Sequence, residues 1–304
     1  MRILVTGASG QIGFELVRAL QPLGSVIASG RDTLDLADPG STLGRLDRIR
    51  PDLIINAAAY TAVDDAETHQ ALAMRVNAES PAAMAAWAAS HGCALIHYST
   101  DYVYSGNSTW PWRETDAAEP LSVYGRSKLA GDVAIQNSGA AHLILRTGWV
   151  YSARGRNFMR TVLAKARSQE ELMVVNDQWG APTWAQTVAL ATAAIIARAG
   201  GGGAAIAARF ADAGGVFHAA CAGRTTWFDF AARILERVPD PRRRLRRLLP
   251  VSAEAYAAAA ARPKYAVLDI TRIAQVWGVV LPAWELALEQ CLAEARSDDL
   301  FMGA

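Results

Sequence analysis

Arg2-Ile3-Leu4-Val5-Thr6-Gly7-Ala8-Ser9-Gly10-Gln11-Ile12-Gly13 opens the chain and decides how the rest is read. An aliphatic, β-branched run ends on three glycines spaced three apart, and Phe14 to Leu20 then carries apolar residues at helical spacing. This predicts strand, glycine turn and helix. Glycines so placed allow a tight turn, close approach of the backbone to a pyrophosphate, and packing of the helix on its strand, with phosphates held at the helix N-terminus. The same pattern also serves as a plain glycine turn in a parallel sheet, so it needs support from the rest of the chain.

Later strands supply it. Val26-Ile27-Ala28-Ser29 predicts a second strand, ending in Gly30-Arg31 with Asp35-Leu36 shortly after. In dinucleotide folds an acid at this strand end accepts from the ribose 2′-hydroxyl, and an arginine accommodates a 2′-phosphate. Here the acid is missing and Arg31 is present. Asp52 to Tyr60 reads as an apolar buried strand closing on Ala57, Ala58 and Ala59, small residues against which a flat ring can lie. Residues 66–91 are alanine-rich and helical, with Pro81 breaking or starting a helix. Ala94 to Asp101 is another buried strand, delivering Ser99, Thr100 and Asp101 to the carboxyl edge where open α/β sheets bind ligands. Asp101 reads equally as a turn cap. The expected fold is α/β: a Rossmann-type doubly wound parallel sheet with a smaller C-terminal substrate-binding lobe. Residues 1–150 form the NADP-binding domain, interleaved with later segments, and 151–304 mainly the lobe.

Tyr124-Gly125-Arg126-Ser127-Lys128 places a phenol and an ammonium four apart, on one face of a helix. A neighbouring cation lowers a phenol from its ordinary value near ~10 and fits it for general acid or base work. Such pairs also occur on exposed helices without chemistry.

With 304 residues, 52% of them hydrophobic, the chain can bury a full core, and a net charge of +1 recruits neither nucleic acid nor anionic membrane. Cys93, Cys221 and Cys291 are too few and too scattered for a disulfide framework or a zinc site. The start leaves no room for a signal peptide and no apolar run reaches ~18 residues. A cytoplasmic location is expected. His69, His91, His97, His142 and His218 lack metal-ligand spacing and read as structural, His97 as a core residue or one behind the site. Ala199–Gly215, with four consecutive glycines, reads as a surface loop, and the arginine-rich stretch 242–247 as a solvated helix turn with at most a steering role.

Taken together, Gly7-x-x-Gly10-x-x-Gly13, Asn56-Ala57-Ala58-Ala59, Ser99-Thr100-Asp101-Tyr102-Val103-Tyr104 and Tyr124-x-x-x-Lys128 resemble the extended short-chain dehydrogenase/reductase superfamily. Thr61-Ala62-Val63-Asp64-x-Ala66-Glu67, Arg146 to Tyr151, Asn176 to Thr183 and Thr225-Thr226-Trp227-x-Asp229 narrow the likeness to the dTDP-4-dehydrorhamnose reductases. It extends from Met1 to about Leu292. The resemblance implies NADPH-dependent reduction of the C4 ketone of dTDP-4-dehydro-L-rhamnose, the last step of dTDP-L-rhamnose synthesis, with NADH as a second admissible cofactor. By similarity Tyr124 would protonate the C4 oxygen, Lys128 would lower its pKa and hold the nicotinamide ribose, and Thr100 would polarise the carbonyl. The cofactor would lie against Gly7, Gly10, Gln11, Ile12, Gly13, Ser29, Arg31, Asp35, Leu36 and Ala57–Ala59, as well as Tyr124 and Lys128. Val63, Thr100, Asp101, Tyr102 and Trp149 would take the sugar, although Trp149 reads equally as a core tryptophan.

Two departures stand out. Some members are magnesium-linked dimers held through glutamates; Glu15 matches one such position, but Gln186 stands where another carboxylate is expected, which speaks against Mg2+. No metal ligand is assigned, and a homodimer is allowed. Arg262-Pro263-Lys264-Tyr265-Ala266 carries alanine where the family often has serine. A nucleotide-sugar epimerase or dehydratase, and a non-catalytic subunit like that of methionine adenosyltransferase, are the alternatives. Tyr102 after Thr100-Asp101 disfavours dehydration, and intact Thr100, Tyr124 and Lys128 disfavour a non-catalytic role.

Overall fold

The computed structural model describes residues 1–295. Its principal strands are β1 (Arg2–Thr6), β2 (Ser25–Ser29), β3 (Leu53–Asn56), β4 (Ala94–Thr100), β5 (His142–Thr147), β6 (Glu171–Val175), β7 (Gly215–His218) and β8 (Arg247–Val251). The principal helices are α1 (Gln11–Ala19), α2 (Pro39–Ile49), α3 (Ser80–His91), α4 (Val123–Gln136), α5 (Phe158–Ser168), α6 (Ala185–Ala199), α7 (Gly203–Ala213), α8 (Trp227–Arg237) and α9 (Trp284–Glu294).

Six strands form one parallel sheet in the order β7-β5-β4-β3-β1-β2. Order reverses beside β1, which puts a crevice at the carboxyl ends of β1 and β3 to β5. β3 and β4 are buried on both faces, as strands covered by helices must be. One core packs Ile3, Val5, Ile55, Ile96 and Leu145 against α1, α6 and α7, and the opposite face packs Leu4, Ile54, Leu95 and Ile144 against α2 and α3. A separate cluster joins α5, β6, α8 and α9 through Met159, Leu163, Leu172, Phe230, Ile234 and Leu288. Among the described residues no single helix is long and apolar enough to cross a membrane.

β3 is shorter than the sequence run suggests. Pairing with β1 and β4 ends at Asn56, opposite Thr6 and His97, and Ala57–Tyr60 leave the sheet as irregular backbone. The 199–215 segment is not a surface loop. Only Gly200–Gly202 turn; α7 follows, built from alanines that favour helix and burying Ile206 and Phe210, and β7 completes the sheet. Nor is 242–247 a helix turn. Pro239 and Pro241 precede an irregular segment that enters β8 at Arg247, parallel to β6. Its charges are used locally: Arg243 donates to Leu235 O (2.6 Å) and Val238 O (2.5 Å), Arg246 lies 3.9 Å from Glu170, and Arg247 pairs with Glu171.

Candidate active site

A cleft of about 1120 Å³ runs along the carboxyl edge of the sheet. The glycine turn forms its floor at one side. Gly7 has φ +63°, and a Cβ there would lie 2.7 Å from Ala58 N; at Gly13 it would lie 2.0 Å from Gly7 O. Gly7 therefore lets the loop after β3 come close, while Gly13 lets α1 close on the turn. Gly13 is buried behind the cleft instead of lining it.

Past β2 the wall is Gly30, Arg31, Leu34, Asp35 and Leu36. Arg31 is exposed. Ser29, expected to reach a cofactor phosphate, does not: it is 1% exposed, and its hydroxyl is buried without a hydrogen-bond partner. The alternation of β2 turns its side chain into the protein. Ala57, Ala58 and Ala59 form the opposite wall.

The polar end gathers residues from four elements. Thr100, at the end of β4, donates to Asp101 Oδ1 (3.0 Å) and accepts from Tyr102 N (3.1 Å). Asp101 is buried, and that burial pushes its carboxyl up to about 7. A Cβ on Gly148 would fall 2.1 Å from Asp101 Oδ2, so only glycine fits after Thr147. Ser122 caps α4 by accepting from Gly125 N (3.1 Å), and Glu67 accepts from Val123 N (2.8 Å). Gly125 lets the Tyr102 carbonyl approach, since a Cβ would lie 2.3 Å from it. These contacts bring Tyr124 beside Thr100, while the Tyr102 ring meets it edge-on at 5.9 Å. Burial pushes the Tyr124 phenol up to about 12. The lowering expected from Lys128 does not occur, because the ammonium is directed elsewhere: Lys128 Nζ lies 2.7 Å from Tyr98 O and 2.9 Å from His97 Nε2. Burial holds Lys128 itself down to about 8.

Several contributors escaped the sequence reading. Asn77 sits in a single π turn, Arg75–Glu79, that leads into α3. It accepts from Tyr60 N (2.8 Å) and donates to Tyr60 O and Ser127 Oγ (both 3.0 Å), pinning the loop after β3 to α4. Arg262 grips Asp64 at 2.7 and 3.1 Å and lies beside Tyr102. Arg156, Tyr60 and Trp227 line the cleft as well. A π turn has no motif in one sequence, and an arginine 198 positions from its carboxylate has no spacing to read.

Val63 and Trp149 also line the cleft. Trp149 is a non-glycine residue at φ +50°, a conformation that costs on the order of 1–3 kcal/mol. Its ring stacks on Trp227 with centroids 3.4 Å apart and planes 6° apart, and Gly180 leaves room for it, since a Cβ there would clash with the indole. Beyond Trp227 lies a second groove of about 240 Å³, bordered by Phe158, Lys165, Gln178, Tyr256 and Arg262.

The residues considered for magnesium, Glu15 and Gln186, meet around Glu294. Gln186 donates its amide to Glu294 Oε2 (3.1 Å), and Glu15, raised by burial and by the nearby Glu294 carboxylate, also has Arg18 and Arg154 beside it. Among the described residues no three carboxylate, histidine or cysteine side chains converge.

Comparison with known proteins agrees with this geometry. The RmlD substrate binding domain family matches residues 1–297. The dTDP-4-dehydrorhamnose reductase of Escherichia coli K12 is 43% identical over 97% of this chain and 98% of its own, and that of Burkholderia thailandensis 42% over 98% and 100%. The crystal structure of the Bacillus anthracis dTDP-4-dehydrorhamnose reductase in complex with NADP superposes with a TM-score of 0.86, at 31% identity, covering 97% of this chain and 99% of that one. A glycine-cradled cleft ending in a threonine, tyrosine and lysine, and matches along nearly the whole length, place this chain in the RmlD family, that of the dTDP-4-dehydrorhamnose reductases.

Proposed function

We infer that the chain reduces the C4 ketone of dTDP-4-dehydro-L-rhamnose to dTDP-L-rhamnose, drawing on NADPH. The observation that carries this is the convergence of Thr100, Tyr124 and Lys128 on a cleft of about 1120 Å³ that the glycine turn also lines. Gly7, Gly10, Gln11 and Ile12 hold the pyrophosphate at the start of α1, Ala57–Ala59 flank the adenosine half, and Arg31 with Asp35 and Leu36 meets its ribose. A bound nicotinamide supplies the hydride.

The chain supplies the proton and the orientation. Tyr124, kept protonated by burial, hands its proton to the C4 oxygen. Thr100 hydrogen-bonds the same oxygen. It is free to do so when Asp101, raised to about 7, is protonated and returns the hydrogen bond it otherwise receives. Lys128 holds the nicotinamide ribose. Val63, Tyr102 and Trp149 shape the sugar pocket, and the groove beyond Trp227, with Arg262 and Lys165 at its edge, receives the diphosphate and nucleoside. Mixing the protein with NADPH and enzymatically made dTDP-4-dehydro-L-rhamnose tests the reading: nicotinamide absorbance falls and rhamnose appears in equal amount. Steady absorbance with saturating sugar would overturn it.

A further inference from the structure

Behind Lys128 a chain of buried polar groups crosses three strands. Thr6 Oγ1, at the end of β1, lies 2.6 Å from Asn56 Oδ1, at the end of β3. Asn56 Nδ2 lies 3.0 Å from His97 Nδ1 on β4, and His97 Nε2 lies 2.9 Å from Lys128 Nζ. All four side chains are at most 1% exposed. Thr6 also accepts from Ala58 N (3.3 Å) in the loop after β3, but no helix cap or turn uses the Asn56 or His97 side chain, and a polar row inside an otherwise apolar sheet costs stability unless every member is satisfied.

Donor counting shows what the row does. An ammonium has three protons and no lone pair. Lys128 gives one to Tyr98 O and one to His97, leaving one for the cleft. For His97 to accept at Nε2 its own proton must sit on Nδ1, and Asn56 must then present its oxygen, which a half-turn of the amide provides, leaving its nitrogen to Thr6. The row thus has one self-consistent setting with a charged lysine, and all of its members are needed to complete it. Of the charged groups nearby, Asp132 also favours the lysine cation, but it makes no hydrogen bond that would orient the ammonium. Asp132, one turn further along α4, faces Lys128 but is shared with Arg146 of β5 at 3.2 Å and with Ser99 at 2.9 Å; Tyr124 lies on the same helix, and Asp101 faces Tyr124.

We propose that His97, backed by Asn56 and Thr6, is a positioning residue for the reduction: its Nε2 lone pair keeps Lys128 a cation and turns the remaining lysine proton into the cleft. This rests on the proposed reductase reading. Burial already holds Lys128 down to about 8, so losing the acceptor moves it further down, and the fall in kcat on the alkaline side moves to lower pH with it.

Three substitutions separate positioning from packing. Gln at 97 can place an oxygen where Nε2 stands, whereas Asn can reach only the Nδ1 position, and Phe offers neither. His97→Gln should recover most of the parental kcat and keep its alkaline limb. His97→Asn and His97→Phe should lose about tenfold in kcat and shift the limb down by about one pH unit, equivalent to ~1.4 kcal/mol on the lysine. An unmoved limb in His97→Phe, or Asn and Gln behaving alike, would overturn the proposal; if the Phe variant does not fold, the Asn and Gln pair decides. The pH dependence of NADPH affinity, read by nucleotide fluorescence, makes the same comparison without sugar. A parent that binds NADPH yet reduces nothing would sink the reductase reading alone, and the binding limb would still decide the role of His97.

Discussion

Lys128 is 1% exposed and held by Tyr98 O and His97 Nε2, whereas Arg31, at the other end of the same cleft, is exposed and has no hydrogen bond or ion pair among the described residues. Tyr124 and Thr100 resemble the lysine, anchored by a capped helix and a central strand; Arg31 is carried on the turn after an edge strand. Proton transfer tolerates little misplacement, so its groups sit on rigid elements and their burial is compensated. Reading a phosphate needs only a cation within reach, and an exposed side chain that orders on binding suffices.

That contrast is broken most directly at Tyr124. Tyr124→Phe should cost on the order of 10²–10⁴ in kcat while NADPH affinity, measured by fluorescence titration, stays near the parental value. Parental turnover would mean that another group donates the proton. Lys128→Ala should lose less in kcat, with a weaker grip on NADPH as well. It should also lower the melting temperature, because His97 and Tyr98 O lose their buried donor.

At the exposed end the effects are smaller and selective. Arg31→Ala should lower kcat/KM for NADPH by about ten- to a hundredfold, the worth of a charge-assisted contact of roughly 1.5–3 kcal/mol, and leave NADH almost untouched. Equal losses with both cofactors would show that Arg31 does not read the 2′-phosphate. The smallest effect expected is none: EDTA should change neither activity nor sedimentation, since Gln186 spends its amide on Glu294. A loss of mass on chelation would reinstate a bridging cation.

Legibility followed the same divide. The glycine turn, the strand ends and the Tyr124–Lys128 spacing were readable because each is a local pattern with a local cause. Ser29 was misjudged for want of strand orientation: one residue of register decides whether a side chain at a strand end faces ligand or core. The direction of the Tyr124 shift was misread because spacing shows that a lysine is near but not where its protons go. Asn77 was invisible, and Arg262 was read only as part of a family segment, because the contacts that give them meaning lie far away in sequence. The helix at 203–213 was obscured by the glycines before it, although Ile206 and Phe210, four apart, mark its buried face.

The stacked indoles of Trp149 and Trp227 have a consequence outside chemistry. Rings this close and this parallel share their excited states, so the pair should contribute a split circular dichroism band and weak emission, unlike the protein's remaining tryptophans. Because Trp227 borders both the cleft and the groove beyond it, a sugar nucleotide lying across the two disturbs the stack directly. The protein therefore carries its own optical gauge of occupancy, readable without label or turnover.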